Sequence, residues 1–327
     1  MIMKTALIMG VTGGFGGHVA QALVKQGWSL KVFMRNPARL PQQFAAAEVI
    51  TGDAGNLDDV RTATKGVDLM VYGVNPANYQ WEGKAQPWLE NAATVAEENR
   101  LTMVFPGNVY VFDPADGPEF DETAAFRPVS SKGETRVAME ERLQLASQRG
   151  AKVIIIRCGD FIGSHAPSTW IQQLVKPNAA GYALSAPGSD QLMHTWAYLP
   201  DVAQTVAELV ANKEKLRAFD VFHFKGYRIT FMDMAEAIEN ATGKKVVIKR
   251  FPWWAIRLMS PFSTLFRSLL EMRYLWNHEV NLSDDKLRAT LGKPVPYTPL
   301  GQALVRSGVI QASGENPKGL RHGGASV

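Results

Sequence analysis

The sequence predicts an α/β fold, a doubly wound parallel sheet with a smaller C-terminal lobe, and three observations predict it. Apolar runs alternate with helical patterns through the first half of the chain, several of those runs are unbroken by polar residues, and the first ends in a glycine-rich turn that opens a helix. Alternating strands and helices form consecutive βαβ units, whose strands are parallel and covered on both faces, so they lose the polar alternation of a half-exposed sheet. The 327 residues, 46% hydrophobic and 20% charged, have the composition of a globular chain rather than a disordered one. At ~100–200 residues per unit they suffice for about two structural units.

Taken in order, strands are expected at Thr5–Met9, Ser29–Met34, Glu48–Ile50, Asp68–Tyr72, Leu101–Phe105 and Lys152–Ile156. Gly27 follows the first helical stretch, Asn36 and Pro37 offer a cap with a first-turn proline, and Gly66 closes a helix begun near Asn56. After about Phe161 the alternation stops. A loop from Ser164 to Gly188, interrupted by a short helix over Thr169–Lys176, reads as an insertion beside the sheet. A helix over Asp201–Asn212 and a strand over Asp220–Phe224 return to the main fold, and Thr230 with Asp233 forms a capping box for a helix ending at Gly243. The aromatic, arginine-bearing stretch Phe251–Trp276 breaks at Pro261 into two helices. It reads as a small second core or a cover over a pocket, with a membrane-surface or partner helix as the alternative. Ser283 is read as an N-cap, with Gly292 as the stop of its helix.

Several classes of function fall away at this stage. No apolar run approaches the ~18–20 residues of a membrane span, and no cleavable leader is visible at the N-terminus. The single cysteine, Cys158, has no intramolecular partner and suits a reducing compartment, so a cytoplasmic location is expected. The net charge of +4 is modest and comes with no nucleic-acid module, so no nucleic-acid partner is expected. The six histidines lack HExxH spacing and no metal is expected; there is no GxSxG elbow, and residues 283–286 match SxxK only formally.

The run GVTGGFG over residues 10–16 follows the first strand and opens the first helix, the context a dinucleotide site requires. Gly10, Gly13 and Gly16 allow a tight turn, close approach of backbone to pyrophosphate, and close helix–strand packing, with Thr12, Gly14 and Phe15 contributing to the same turn. The second strand ends in Met34, Arg35 and Asn36, with Arg39 a turn further on. In place of the carboxylate that reads an NAD ribose, a guanidinium can fork onto a 2′-phosphate, which favours NADP over NAD. The other reading has Arg35 stacking on adenine or lying in solvent. Asp53, followed by Ala54, is placed to bind the adenine amino group, or else forms an Asx turn.

Further motifs carry a family resemblance: GVTGGFGG at 10–17, TGDAGNLDDV at 51–60, VFPGNVYVF at 104–112, IIRCGDFIG at 155–163, HTWAYLPDVA at 194–203 and DDKLRATLG at 284–292. Over roughly residues 3–300 the chain resembles the extended and atypical short-chain dehydrogenases/reductases, in their NAD-dependent epimerase/dehydratase branch. The resemblance implies a Rossmann-type NAD(P)-binding domain over residues 1–160. Residues 161–311 follow as a mixed region, mostly a substrate lobe, with 190–225 returning to the Rossmann core, and 312–327 as a mobile tail. It also places Gly73, Val74 and Asn75, then Pro106 and Gly107, then Cys158, Asp160 and Phe161 along the cofactor cleft. Cys158 there is a packing residue rather than a reactive thiol. The possible homodimer, through helices near 85–99 and 130–149, is a family expectation.

The family's catalytic pattern is altered. Aligned on Val109 and Tyr110, the fifth strand carries Pro106 where the family has a serine or threonine hydroxyl, and aligned on Glu140 the family's Tyr-x-x-x-Lys becomes Lys132 and Arg136. The i, i+4 spacing keeps both on one helix face. Arg136 suits the nicotinamide ribose but is no base. Lys132 is either a proton carrier, its pKa depressed by its cationic neighbour in a desolvated cleft, or a fixed charge on substrate or phosphate. Tyr110 and Asn108 are the other catalytic candidates. Tyr79 and Trp81 form an aromatic substrate wall or anchor their loop, and His194 reads as a hydrogen-bonded histidine near the sheet edge. The expected function is an NAD(P)-dependent oxidoreductase or epimerase/dehydratase-like enzyme acting on a carbonyl or alcohol of a small or nucleotide-linked molecule. A non-catalytic NAD(P)-binding redox sensor or regulatory protein is the alternative.

Overall fold

Strands and helices alternate from the first described residue. The computed structural model describes residues 4–76, 80–166 and 169–313. The strands are β1 (Thr5–Met9), β2 (Ser29–Met34), β3 (Glu48–Thr51), β4 (Leu69–Tyr72), β5 (Thr102–Asn108), β6 (Glu119–Phe120), β7 (Lys152–Cys158), β8 (Asp160–Ile162), β9 (Val175–Asn178), β10 (Gly181–Ala186), β11 (His194–Tyr198), β12 (Phe219–His223), β13 (Tyr227–Ile229), β14 (Lys245–Arg250) and β15 (Asn281–Leu282). The helices are α1 (Gly14–Lys25), α2 (Leu57–Ala63), α3 (Ala85–Glu98), α4 (Ser131–Gln148), α5 (Trp170–Leu174), α6 (Leu199–Ala211), α7 (Phe231–Thr242), α8 (Trp253–Met259), α9 (Thr264–Glu271), α10 (Asp285–Leu291) and α11 (Leu300–Arg306).

Seven strands make one parallel sheet in the order β12-β7-β5-β4-β1-β2-β3. The period of two along a strand explains its two hydrophobic layers. In β1, Ala6 and Ile8 join the layer containing Val19 and Leu23 of α1 and Val206 and Leu209 of α6. Leu7 and Met9 join the opposite layer, with Leu89 of α3 and Met139 and Leu143 of α4. The chain runs outward from β1 to β3 and then crosses back to β4, so strand order reverses between β1 and β4, where Met9 and Tyr72 are in register. At such a switch point the two crossovers leave in opposite directions and open a crevice at the strands' carboxyl ends.

The second half builds a lobe from β14-β10-β9 and β13-β11-β8, with α7 and α11 enclosing Trp276, Phe231, Ile238 and Leu304. Three local expectations change. β5 and β7 extend to Asn108 and Cys158, because they pair with each other in register as far as those residues. Past Val104, β5 has outrun β4 and is an edge on that side, where Pro106 is tolerated. The helix expected over Thr169–Lys176 shrinks to α5, since Val175–Asn178 pairs antiparallel with β10 instead. Ser283 is not the N-cap of α10: that position is Asp284, and Ser283 Oγ accepts from the Asp285 N–H one residue further in. The capping box of Thr230 and Asp233 is present, and Gly243 takes the left-handed conformation that stops α7. Tyr79 and residues 314–327 of the expected tail lie outside the described residues.

Candidate active site

The glycine turn closes on itself at the switch point. Gly10 has φ +92°, and a Cβ there would lie 2.5 Å from the Gly73 carbonyl oxygen. A Cβ on Gly16 would lie 2.4 Å from the Gly10 oxygen. The ends of β1 and β4 and the first turn of α1 therefore meet backbone to backbone, an approach any side chain would block. Gly13 caps α1 with no side-chain hydrogen bond, so the first N–H groups and the positive end of the helix dipole are not taken by a capping side chain. A cavity of about 310 Å³ opens beside them, lined by Thr12, Gly13, Gly14, His18, Arg39 and His165 among others. His18 Nε2 donates to the Ser164 carbonyl at 3.1 Å, and burial pushes its pKa below the usual value, leaving a neutral imidazole. Arg39 brings a guanidinium to the same cavity.

Arg35 is exposed, its guanidinium 6.0 Å from the Trp88 ring centroid. Asp53 Oδ1 accepts from the Gly55 N–H at 2.7 Å, which is the Asx-turn geometry. Ala54 is buried, and its carbonyl accepts from Asn91 Nδ2. Phe15 packs its ring into the core beneath the turn.

The other end of the crevice is built on α4, whose N-cap Ser130 accepts from the Gly133 N–H. One turn apart, Lys132 and Arg136 take different partners. Lys132 is 6% exposed. Its Nζ lies 2.5 Å from Glu271 Oε2, while its N–H and the Ser131 hydroxyl donate to Glu271 Oε1. Burial acts to raise the Glu271 pKa, but these hydrogen bonds outweigh it and hold the carboxylate below its ordinary value. Arg136 turns towards the sheet. Its Nη1 donates to the Pro106 carbonyl at 3.0 Å, and its guanidinium sits 4.9 Å from the Trp81 centroid and 5.1 Å from that of Phe105. Burial lowers its pKa. Arg136 Nε is buried with no acceptor among the described residues. Trp81 stacks on Tyr110 at 6.4 Å.

Beneath these side chains lies a buried network. Arg157 and Glu140 pair through two hydrogen bonds of 2.9 and 2.7 Å. Arg157 also donates to the Asn108 carbonyl at 2.6 Å and to His223 Nε2 at 3.2 Å. Asn108 Oδ1 accepts from the Tyr110 N–H, fixing the turn that presents Tyr110. Asp160 accepts from His194 Nε2 at 2.7 Å, and His194 stacks on Trp276 with centroids 4.0 Å apart.

Gly10, Gly13, Gly14, Gly16 and Gly73 thus come together, as do Pro106 and Arg136; Gly107 lies against Ile155 and Arg157, where a Cβ would fall 2.9 Å from Ile155 Cγ2. Val74 packs against the second layer and Asn75 follows it. Phe161 packs against the first layer. The Cys158 side chain is a core residue, and burial pushes its thiol pKa up. Sequence reasoning missed Glu271, which sits in an apolar helix 139 residues from Lys132. It also missed His18, which its place one turn after Gly14 makes findable, and His165, for which there is no local signal.

Residues 10–213, more than half of the chain, match a family model described as NAD(P)H-binding. An uncharacterized Sinorhizobium fredii protein (strain NBRC 101917 / NGR234) is 29% identical over 171 residues, 50% of this chain and 42% of that protein. The chain therefore spans less than half the length of the curated relative it matches. Among solved structures, a candidate epimerase from Burkholderia cenocepacia J2315 superposes with TM-score 0.75 at 18% identity, covering 94% of this chain and 97% of that one. The Thermus thermophilus UDP-glucose 4-epimerase, solved in complex with NAD, superposes with TM-score 0.67 at 17% identity, covering 93% and 97%. These likenesses establish a shared fold.

Proposed function

The chain belongs to the NAD(P)H-binding family, and from that premise we propose that it is an NADP(H)-dependent oxidoreductase or epimerase/dehydratase-like enzyme acting on a carbonyl or alcohol of a small or nucleotide-linked substrate. The observation that carries this reading is the interlock of Gly10, Gly16 and Gly73, which leaves the N-terminus of α1 open at the switch point. Backbone N–H groups there suit a pyrophosphate. Arg39, which lines the cavity, suits a 2′-phosphate, and Arg35, four residues earlier in the chain, is the second candidate for it. Arg136 Nε, the orphaned donor, suits a ribose oxygen. When bound, the nicotinamide supplies hydride chemistry.

This chain's own part is orientation and the proton. Lys132 Nζ donates a hydrogen bond to the substrate oxygen, with Glu271 fixing its position. Tyr110, stacked on Trp81, is the second candidate proton donor. The nucleotide-linked substrate class follows the fold shared with the UDP-glucose 4-epimerase. A cytoplasmic location is part of the proposal, supported by the lone thiol of Cys158, and a homodimer is proposed on the paired helices α3 and α4, which Arg142 joins through Glu90 and Glu97.

One observation favours the second reading, a dinucleotide-binding sensor: the Lys132 ammonium is already satisfied by Glu271. Titration with NADPH and NADH under identical salt is the first test. Tight NADPH and weak NADH binding is expected; absence of binding by either sinks both readings. Consumption of NADPH with a carbonyl panel then separates enzyme from sensor.

A further inference from the structure

Helices α8 and α9, with the turn between them, carry an apolar edge that faces away from the protein. Trp254 is 74% exposed, Leu258 66% and Phe262 84%, and Met259 is exposed between them. Trp254 and Leu258 are one helical turn apart and so share a face. This is not a loose segment. The preceding residue, Trp253, turns inward, where its Nε1 donates to the Pro187 carbonyl at 2.6 Å and its ring packs on Phe251 and Trp170. At the far end Glu271 is tied to Ser131 and Lys132. The apolar edge is therefore mounted rigidly at both ends, and a monomeric protein seldom leaves such side chains clustered without an occupant.

Charge identifies the occupant. Between residues 244 and 273 there are seven Lys and Arg residues and one acidic residue, Glu271, in a chain whose net charge is only +4. Glu271 is neutralised by Lys132. Arg257 lies within the exposed face of α8, and Arg267 donates to the carbonyls of Ser260 and Pro261, next to Phe262. A second copy docked on this edge would bring arginines against arginines. An anionic lipid surface would instead meet them with opposite charge and accept the aromatic side chains at headgroup depth. With seven and eight residues, these helices are far short of the ~20 needed to cross a bilayer, so the contact lies in the plane of the surface.

We propose that this edge docks the protein on an anionic membrane surface, with Trp254, Leu258 and Phe262 inserted and Arg257 and Arg267 at the headgroups. The test is co-sedimentation of the full chain with vesicles of phosphatidylglycerol and phosphatidylcholine, and with phosphatidylcholine alone. Retention by the anionic vesicles only is expected, released when salt is raised to about 0.5 M. The double variant W254S/F262S should weaken retention by about tenfold or more, and Arg257→Glu should weaken it as well. All three positions are exposed, and an unchanged melting temperature will verify that each variant folds. The proposal is overturned by no retention on anionic vesicles, by equal retention on both vesicle types, or by undiminished retention of the double variant. It is equally overturned if light scattering shows a dimer that W254S/F262S converts to monomer, since the occupant would then be a second copy.

Discussion

The two ends of the crevice offer a ligand different kinds of group. At the glycine end the donors are backbone N–H groups of α1, placed by the absence of side chains on Gly10, Gly16 and Gly73. At the α4 end they are the long side chains of Lys132 and Arg136, placed by Glu271, Pro106, Trp81 and Phe105. A backbone site tolerates almost no change of residue, because any Cβ occupies the space where chains meet. A side-chain site tolerates change of identity as long as its supports remain. That difference predicts that substitution is tolerated at Lys132 and Arg136 before it is tolerated in the glycine turn.

The comparison breaks most visibly if the supports are unnecessary. Glu140→Gln leaves Arg157 charged and buried without its partner, and a loss of about 3–5 kcal/mol is expected, read as a fall in the denaturation midpoint. A shift under 1 kcal/mol would mean the α4 end does not rest on this network. The same network sets a pH dependence. Burial, and then the Arg157 charge, push the His223 pKa down to about 3, while the unfolded imidazole titrates near about 6.5. Over that window the unfolded chain binds a proton the native chain does not. Stability should therefore fall as pH drops from about 6.5 towards 3, and His223→Gln should flatten that slope; an equal slope in the variant would remove His223 from the account.

At the glycine end, Gly16→Ala should cost about 1–3 kcal/mol through the clash with Gly10 and should abolish measurable NADPH binding. Normal affinity in that variant would mean the turn is structural only. Lys132→Ala should lower turnover about a hundredfold with dinucleotide affinity nearly unchanged; unaltered turnover would take Lys132 out of the mechanism and point to Tyr110. The smallest effect is expected for Arg39→Ala, an about tenfold loss of NADPH over NADH preference, near 1.4 kcal/mol. If affinity for both dinucleotides falls together, Arg39 serves the whole cavity rather than the 2′-phosphate.

Much of this was readable before any coordinates. The unbroken apolar strands, the glycine spacing at 10–16 and the capping box at Thr230 are local, and each contains within a few residues the geometry it enforces. Elsewhere pairing across the sheets decides: it lengthens β5 and β7 and turns Val175 and Lys176, expected at the end of a helix, into the start of β9. For Lys132 and Arg136 the i, i+4 spacing was correct, but their opposite orientations were invisible, because one depends on a carboxylate 139 residues away. Likewise the aromatic stretch Phe251–Trp276 shows its composition in sequence, yet whether each ring points inward or outward depends on the surface it is laid against. Trp253 and Trp254 are adjacent and chemically identical; one is packed on Phe251 and the other is exposed.

By itself, then, the sequence determined the doubly wound parallel sheet and the glycine turn, since the unbroken apolar runs and the glycine spacing at 10–16 are patterns among residues next to one another. Only the tertiary structure decided the partner of Lys132, the orphaned donor on Arg136 and the outward face of α8. Side-chain direction is set by groups that meet after the chain has folded, and the energy that selects them is absent until they do.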